Sequence, residues 1–123
     1  MNTLFLIALI VESIFGIGFI LAPGALLNPM GVILNASATT FANLFGSALI
    51  SFPVLLFYAM KSDKIEFKKG VVKSMFVYYL ISGMLLLITQ LNGQMNFMGW
   101  SVVVLHLIFL IWFGYFLFKK AVS

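Results

Sequence analysis

Four long apolar runs constrain the fold of this chain more than any other feature of its sequence. They cover residues 3–21, 39–60, 71–91 and 98–118. Each run is close to the length of about 20 residues with which a helix, rising about 1.5 Å per residue, crosses the hydrocarbon layer of a bilayer. Helix-breaking segments separate the runs: Ala22-Pro23-Gly24, residues 61–64 and Asn92-Gly93. The pattern predicts an all-α membrane protein, a bundle of four transmembrane helices in a single membrane domain of residues 1–123.

The scarcity of charge supports this prediction and narrows the function. Of the 123 residues, 63% are hydrophobic and 8% are charged, whereas soluble domains are about 25% charged, so a soluble globular domain is excluded. The chain has no cysteine, which excludes thiolate metal sites and dithiol redox pairs. No recognised catalytic spacing is present, and a single histidine cannot build a His-rich metal site. We therefore predict no catalytic or metal-binding residue, expect a non-enzymatic protein, and leave the cofactor unknown.

The lysines predict the orientation in the membrane. Five of the seven lie between Lys61 and Lys73, and the other two are Lys119 and Lys120. Under the positive-inside rule, this distribution places both termini in the cytoplasm and makes the chain a multi-pass protein of the cell membrane. The net charge of +4 is thus a topology signal, and nucleic acid is not an expected partner. Membrane lipid is expected, and a homo-oligomer stays open. The uncharged segment 24–38 is expected to lie in the interface or cap the bundle.

Polar residues within the spans are the candidate functional residues, because a charged side chain at depth costs about 2.5–3.5 kcal/mol on insertion scales. Glu12 lies near the middle of the first span. Counted along the helices, it is about 14 Å from the predicted outer end, and one polar residue of each other span lies about 12 Å from that end. These residues are Ser47, Ser82 and His106. Asn43 and Tyr79 lie about one turn above and below this layer.

Two interpretations of the polar layer remain open at this point. A carboxylate in low dielectric requires a hydrogen-bonding partner, and His106 as an imidazolium is able to supply an opposite charge. The pair Glu12 and His106 is then either an internal clasp that fixes the helix register or a ligand-binding or proton-handling site. The serines have a simpler alternative, which is to bond to carbonyls of their own helices.

The first half of the sequence resembles the DoxX-like family of small four-helix bacterial membrane proteins. The resemblance rests on FGIGFILAP at residues 15–23, PMG at 29–31 and ANLFGSA at 42–48, and it covers residues 5–50. Many of those relatives carry an arginine where this chain has Asn43. The resemblance implies a four-helix bundle in a bacterial inner membrane. It further implies binding of a lipid, a quinone-like or another small apolar ligand, or a role as an accessory membrane subunit.

A second resemblance leads to a different class of function. Small multidrug transporters also have four spans and carry a glutamate in the first, and Val11-Glu12-Ser13 with the glycines that follow is similar. In that family the glutamate is the shared site for protons and cations. The alternative prediction is therefore a proton-coupled transporter of small molecules that uses Glu12.

Overall fold

The computed structural model describes residues 1–120 and is almost entirely helical; the last three residues of the predicted domain, 121–123, lie outside the described part. Helix α1 is Asn2–Leu21, α2 is Pro23–Leu27, and a 3-10 helix follows at Asn28–Met30. The remaining helices are α3 (Ala36–Lys61), α4 (Ile65–Leu91) and α5 (Gly99–Phe118). Four of these, α1, α3, α4 and α5, are long and apolar enough to cross a membrane, which confirms the prediction of four helices of membrane-spanning length.

The four long helices form two closely packed pairs, α1 with α3 and α4 with α5, and the pairs contact each other less extensively. Glycines explain how closely α1 approaches α3. A Cβ atom on Gly46 would lie 2.8 Å from the carbonyl oxygen of Gly16 and 2.9 Å from the backbone nitrogen of Ile20. In lipid, helices gain little from burying apolar surface against each other, so close backbone approach of this kind is what holds them together.

One end of the bundle is densely packed. This end contains the chain start, residues 62–64 and Lys119. We call it the lysine half after the lysines that lie there. Large side chains join the two helix pairs here: Phe5 of α1 stacks on Phe113 of α5 with ring centroids 6.4 Å apart. Within the second pair, the Tyr79 and Phe109 rings stack at 4.9 Å. The buried core of this half draws on all four helices, with Leu4, Phe5, Ala8, Leu56, Ala59, Val71, Val72, Met75, Tyr79, Phe109 and Phe113.

The other end, which we call the cap half, is closed by residues 22–35 and 92–98. The 3-10 helix ends at Gly31, whose φ of 81° is readily adopted by glycine. Asn96 joins the two connections, because its backbone N–H donates to Met30 O at 2.8 Å and its Nδ2 donates to Pro29 O at 2.9 Å. Segment 24–38 therefore folds over the bundle end as a cap, built from α2, the 3-10 helix and the start of α3.

Candidate functional site

A cavity of about 300 Å³ lies between the helix pairs in the cap half, directly above the packed core. Small-molecule sites range over about 300–1,000 Å³, so the cavity fits a ligand of modest size. Leu26, Leu27 and Met30 of the cap line it from above, and Met95 lines it from the second connection. Its walls are mainly apolar, with Val11, Phe15, Phe19, Phe45, Leu49, Leu85, Leu86, Val102 and Leu105.

Glu12 and Tyr79 form the polar floor of this cavity. Ala8, Glu12 and Gly16 follow each other at four-residue spacing and make up part of the buried stripe of α1, which directs the Glu12 carboxylate into the bundle. The Tyr79 hydroxyl on α4 donates a hydrogen bond to Glu12 Oε1. The exposed fractions of these residues are 4% for Glu12 and 1% for Tyr79. The carboxylate is thus buried and held by a neighbouring helix of the other pair.

His106 lies beside this pair and also lines the cavity. Its Nδ1 donates to Val102 O, 2.8 Å away on the preceding turn of α5, which leaves Nε2 as the acceptor of a neutral ring. The His106 ring meets the Tyr79 ring edge-on, with centroids 5.5 Å apart. The structure therefore brings Glu12 and His106 to the same cavity, and Tyr79 contacts both. The hydrogen bond of Glu12 goes to Tyr79 rather than to His106.

The other three predicted residues divide between the cavity and the helix surfaces. Ser82 lines the cavity, and its hydroxyl donates to Tyr78 O at 2.6 Å. Ser47 is exposed outside the cavity lining and donates to Leu44 O at 2.7 Å. Asn43 Nδ2 donates to Phe19 O at 2.9 Å and Ile20 O at 3.0 Å, carbonyls of the last turn of α1 that have no helical partner. Asn43 and Ser47 thus stabilise helices and do not join the site.

The sequence interpretation missed two polar side chains of the lining, Tyr78 and Thr89. Tyr78 follows the same face of α4 as Ser82, and its ring packs 6.1 Å from that of His106. Thr89 donates to Leu85 O at 2.9 Å on its own helix. A signal for Tyr78 was present, since residues 78, 82, 85 and 89 share one helical face.

The seam between α3 and α4 is closed at the floor by an aromatic contact, and farther toward the cap its side chains line the cavity. Phe52 of α3 packs on Tyr78 of α4 with ring centroids 4.8 Å apart. Two turns toward the cap, the equivalent positions are Phe45 and Leu85. Both line the cavity, yet 42% of Phe45 and 60% of Leu85 is exposed on the outside of the bundle. Two side chains that line the cavity are therefore also exposed on the helix surface that would face lipid.

The site offers hydrogen bonding and apolar contact. In the part of the chain that the structure describes, no group of three or more His, Cys, Asp and Glu side chains converges as a metal site would require. The arrangement is suited to hold a small apolar molecule and to orient one polar group of it at the floor. Comparisons of this chain with protein-family models, with curated proteins and with solved structures found no match.

Proposed function

We propose that this chain is a non-enzymatic integral membrane protein that binds a small, mainly apolar molecule in the cavity of its cap half. The observation that carries the proposal is the Glu12 carboxylate at the floor of an otherwise apolar cavity. A buried carboxylate is expensive in a membrane helix, and such residues are functional by default. A purely structural clasp would not require an unfilled space of about 300 Å³ beside it.

The exposure of Phe45 and Leu85, which both line the cavity, supports access for such a ligand from the lipid. A molecule that partitions into the bilayer would reach the cavity sideways without crossing the cap. The lysine distribution places the termini in the cytoplasm, and the cavity then lies in the outer leaflet. The resemblance to DoxX-like proteins adds the bacterial inner membrane as the proposed location.

The hydrogen-bonding groups of the floor favour a ligand with a hydroxyl group. Tyr79 occupies Oε1 of Glu12, and Val102 O occupies Nδ1 of His106, which leaves Glu12 Oε2 and His106 Nε2 as acceptors. Within the described part of the chain, neither atom has a hydrogen-bond partner. Among residues 1–120, the side-chain polar atom that is both fully buried and without a partner is Gln90 Oε1. Glu12 Oε2 and His106 Nε2 are therefore not fully buried and are reachable from the cavity. A ligand hydroxyl donates to either of them, whereas a carbonyl ligand cannot donate to any.

Two matched ring-sized probes test this proposal with the chain in lipid nanodiscs. By fluorine NMR, 4-fluorophenol should bind about tenfold more tightly than 4-fluoroanisole, because methylation removes the donor and leaves the acceptors of the floor unpaired. Val102→Trp should abolish binding because the indole fills the cavity. Val104→Trp is the control, since Val104 is on the same helix but exposed.

Three outcomes would argue against the proposal. Equal loss of binding in Val102→Trp and Val104→Trp would place the probe elsewhere, and equal affinity for phenol and anisole would remove the hydroxyl preference. Tighter binding of the cation 4-fluorobenzylammonium, with proton release that Glu12→Gln abolishes, would favour the proton-coupled transporter, which the location of Glu12 in the cavity also allows.

A further inference from the structure

A second concave surface lies at the far end of the molecule, in the lysine half. It is a groove of about 670 Å³ between the first turns of α4 and the end of α5, beside Met1. Four of the seven lysines line it, namely Lys69, Lys73, Lys119 and Lys120. We call it the lysine groove. It is separated from the ligand cavity by the packed core and shares no lining residue with it.

Apolar side chains form the base of the lysine groove. On α4, Ile65 and Val72 alternate with Lys69 and Lys73 along one helical face, and Val72 is buried in the core. Phe116 and Leu117 of α5 complete the apolar part. The groove thus combines ammonium groups, carried on flexible apolar stems, with a surface of hydrocarbon.

The positive charge of the groove is poorly compensated within the described chain. Glu66 lies 3.7 Å from Lys69, but both side chains are exposed and such pairs contribute little. Residues 1–120 contain no other ion pair within 4 Å. Lys119 lies instead over the Tyr115 ring, 5.4 Å from its centroid. An anion with an apolar portion would match both parts of the groove.

We propose that the lysine groove binds the head group of an anionic phospholipid from the adjacent leaflet. The groove lies at the helix ends, at the level where head groups meet hydrocarbon. Lysines pair with phosphate as point charges, and basic pockets between transmembrane helices on the cytoplasmic side are known to hold anionic head groups. The acyl chains then lie along the apolar surface of α4 and α5.

Lipid-binding affinity of the purified full chain tests this proposal. In neutral detergent, where cellular orientation plays no part, native mass spectrometry would compare phosphatidylglycerol with phosphatidylcholine. We expect the double variant Lys73→Gln/Lys119→Gln to lose affinity for phosphatidylglycerol about 25-fold, at about fivefold per lysine. Lys61→Gln/Lys64→Gln is the matched control, since it removes the same charge outside the groove and should change affinity less than about twofold. Lys73→Arg/Lys119→Arg should keep the binding.

Each contrary result has a distinct meaning. Equal loss in the two glutamine pairs would show general surface attraction and overturn the proposal, as would equal affinity of the parent chain for both lipids. Displacement of the lipid by inorganic phosphate at equimolar concentration would identify a free-anion site and also overturn it. Failure of the arginine pair to bind, with an unchanged circular dichroism spectrum, would show that positive charge in the groove is not the determinant.

Discussion

The lysine half and the cap half are built from the same four helices. The space between the helix pairs is filled by packed side chains in the lysine half and is a cavity in the cap half. In the lysine half, Phe5 of α1 stacks on Phe113 of α5 and joins the pairs, and the Tyr79 ring stacks on Phe109 and Phe113 within the second pair. In the cap half, α1 still touches α3 through Gly16 and Gly46, while the two pairs separate around the cavity. Because lipid exerts no strong hydrophobic pressure to close such a space, the difference shows that direct side-chain contact between the pairs, as between Phe5 and Phe113, decides where this bundle is solid and where it is open.

The largest expected effect comes from removing one ring from each half. Phe113→Ala should lower the free energy of unfolding by about 2 kcal/mol, which is below the about 3–5 kcal/mol seen in soluble cores. In a membrane the mutation loses no free energy of transfer from water, so only the cost of the cavity left by the ring remains. Phe15→Ala should cost less than about 1 kcal/mol, since Phe15 already borders empty space and has fewer contacts to lose. Unfolding in mixed detergent micelles, followed by circular dichroism, measures both. Equal losses would mean that the halves are equally packed.

The next effect tests the close backbone contact within one helix pair, α1 with α3. Gly46→Ala should destabilise the protein by about 1–2 kcal/mol, because its methyl group would meet backbone atoms of α1 at 2.8–2.9 Å, and backbone cannot move aside as a flexible side chain can. Gly70→Ala is the control on α4, where a Cβ meets nothing within 4 Å, and should stabilise by a few tenths of a kcal/mol up to about 1 kcal/mol. A neutral Gly46→Ala would contradict close packing of α1 on α3.

The sequence predicted the four spanning helices well because membrane-crossing length and helix breakers are local properties. The start of α4 was the exception: it begins at Ile65 rather than residue 71. The lysines among residues 65–71 favoured a loop in the sequence interpretation. Their flexible apolar stems instead allow the ammonium groups to lie at the helix end while the backbone stays helical.

The candidate site was predicted in part, because counting along a helix gives depth and does not give the face. Glu12, Ser82 and His106 reached the cavity, whereas Ser47, at the same predicted depth, is exposed on the outside. In a soluble protein the polar face of an amphipathic helix would have fixed its rotation. Here both the lipid-facing and the interior faces are apolar, so only packing against neighbouring helices determines which residues point inward.

A smaller effect is expected at the cap. Asn96→Ala removes the bond from Nδ2 to Pro29 O and the bond that Oδ1 accepts from the Met98 N–H, at a cost of about 1 kcal/mol. Because the bond to Pro29 lies outside the core, amide hydrogen exchange should accelerate in residues 22–35 and stay unchanged in the lysine half. Asn92→Ala, at an exposed position of the same connection, is the control. Uniform acceleration across the chain would show that the two halves unfold together.

The smallest change in stability and the most specific change in binding are expected for Glu12→Gln. The amide has the shape of the carboxylate, and its oxygen still accepts from Tyr79, so we expect unfolding to shift by less than about 0.5 kcal/mol. With the Tyr79 hydroxyl donating to the amide oxygen as it does to Glu12 Oε1, the amide nitrogen faces the cavity and replaces an acceptor with a donor.

The hydroxyl preference of the cavity should therefore weaken in this variant. Affinity for 4-fluorophenol should fall about fivefold to tenfold, and that for 4-fluoroacetophenone, whose carbonyl accepts from the new donor, should rise. Ser47→Ala is the control, because Ser47 lies at the same predicted depth but outside the cavity lining, and it should leave both affinities unchanged. If Glu12→Gln instead destabilises the protein as much as Phe113→Ala and binding of both probes falls together, Glu12 belongs functionally to the packed lysine half, as a clasp, and the boundary between the two halves lies above it.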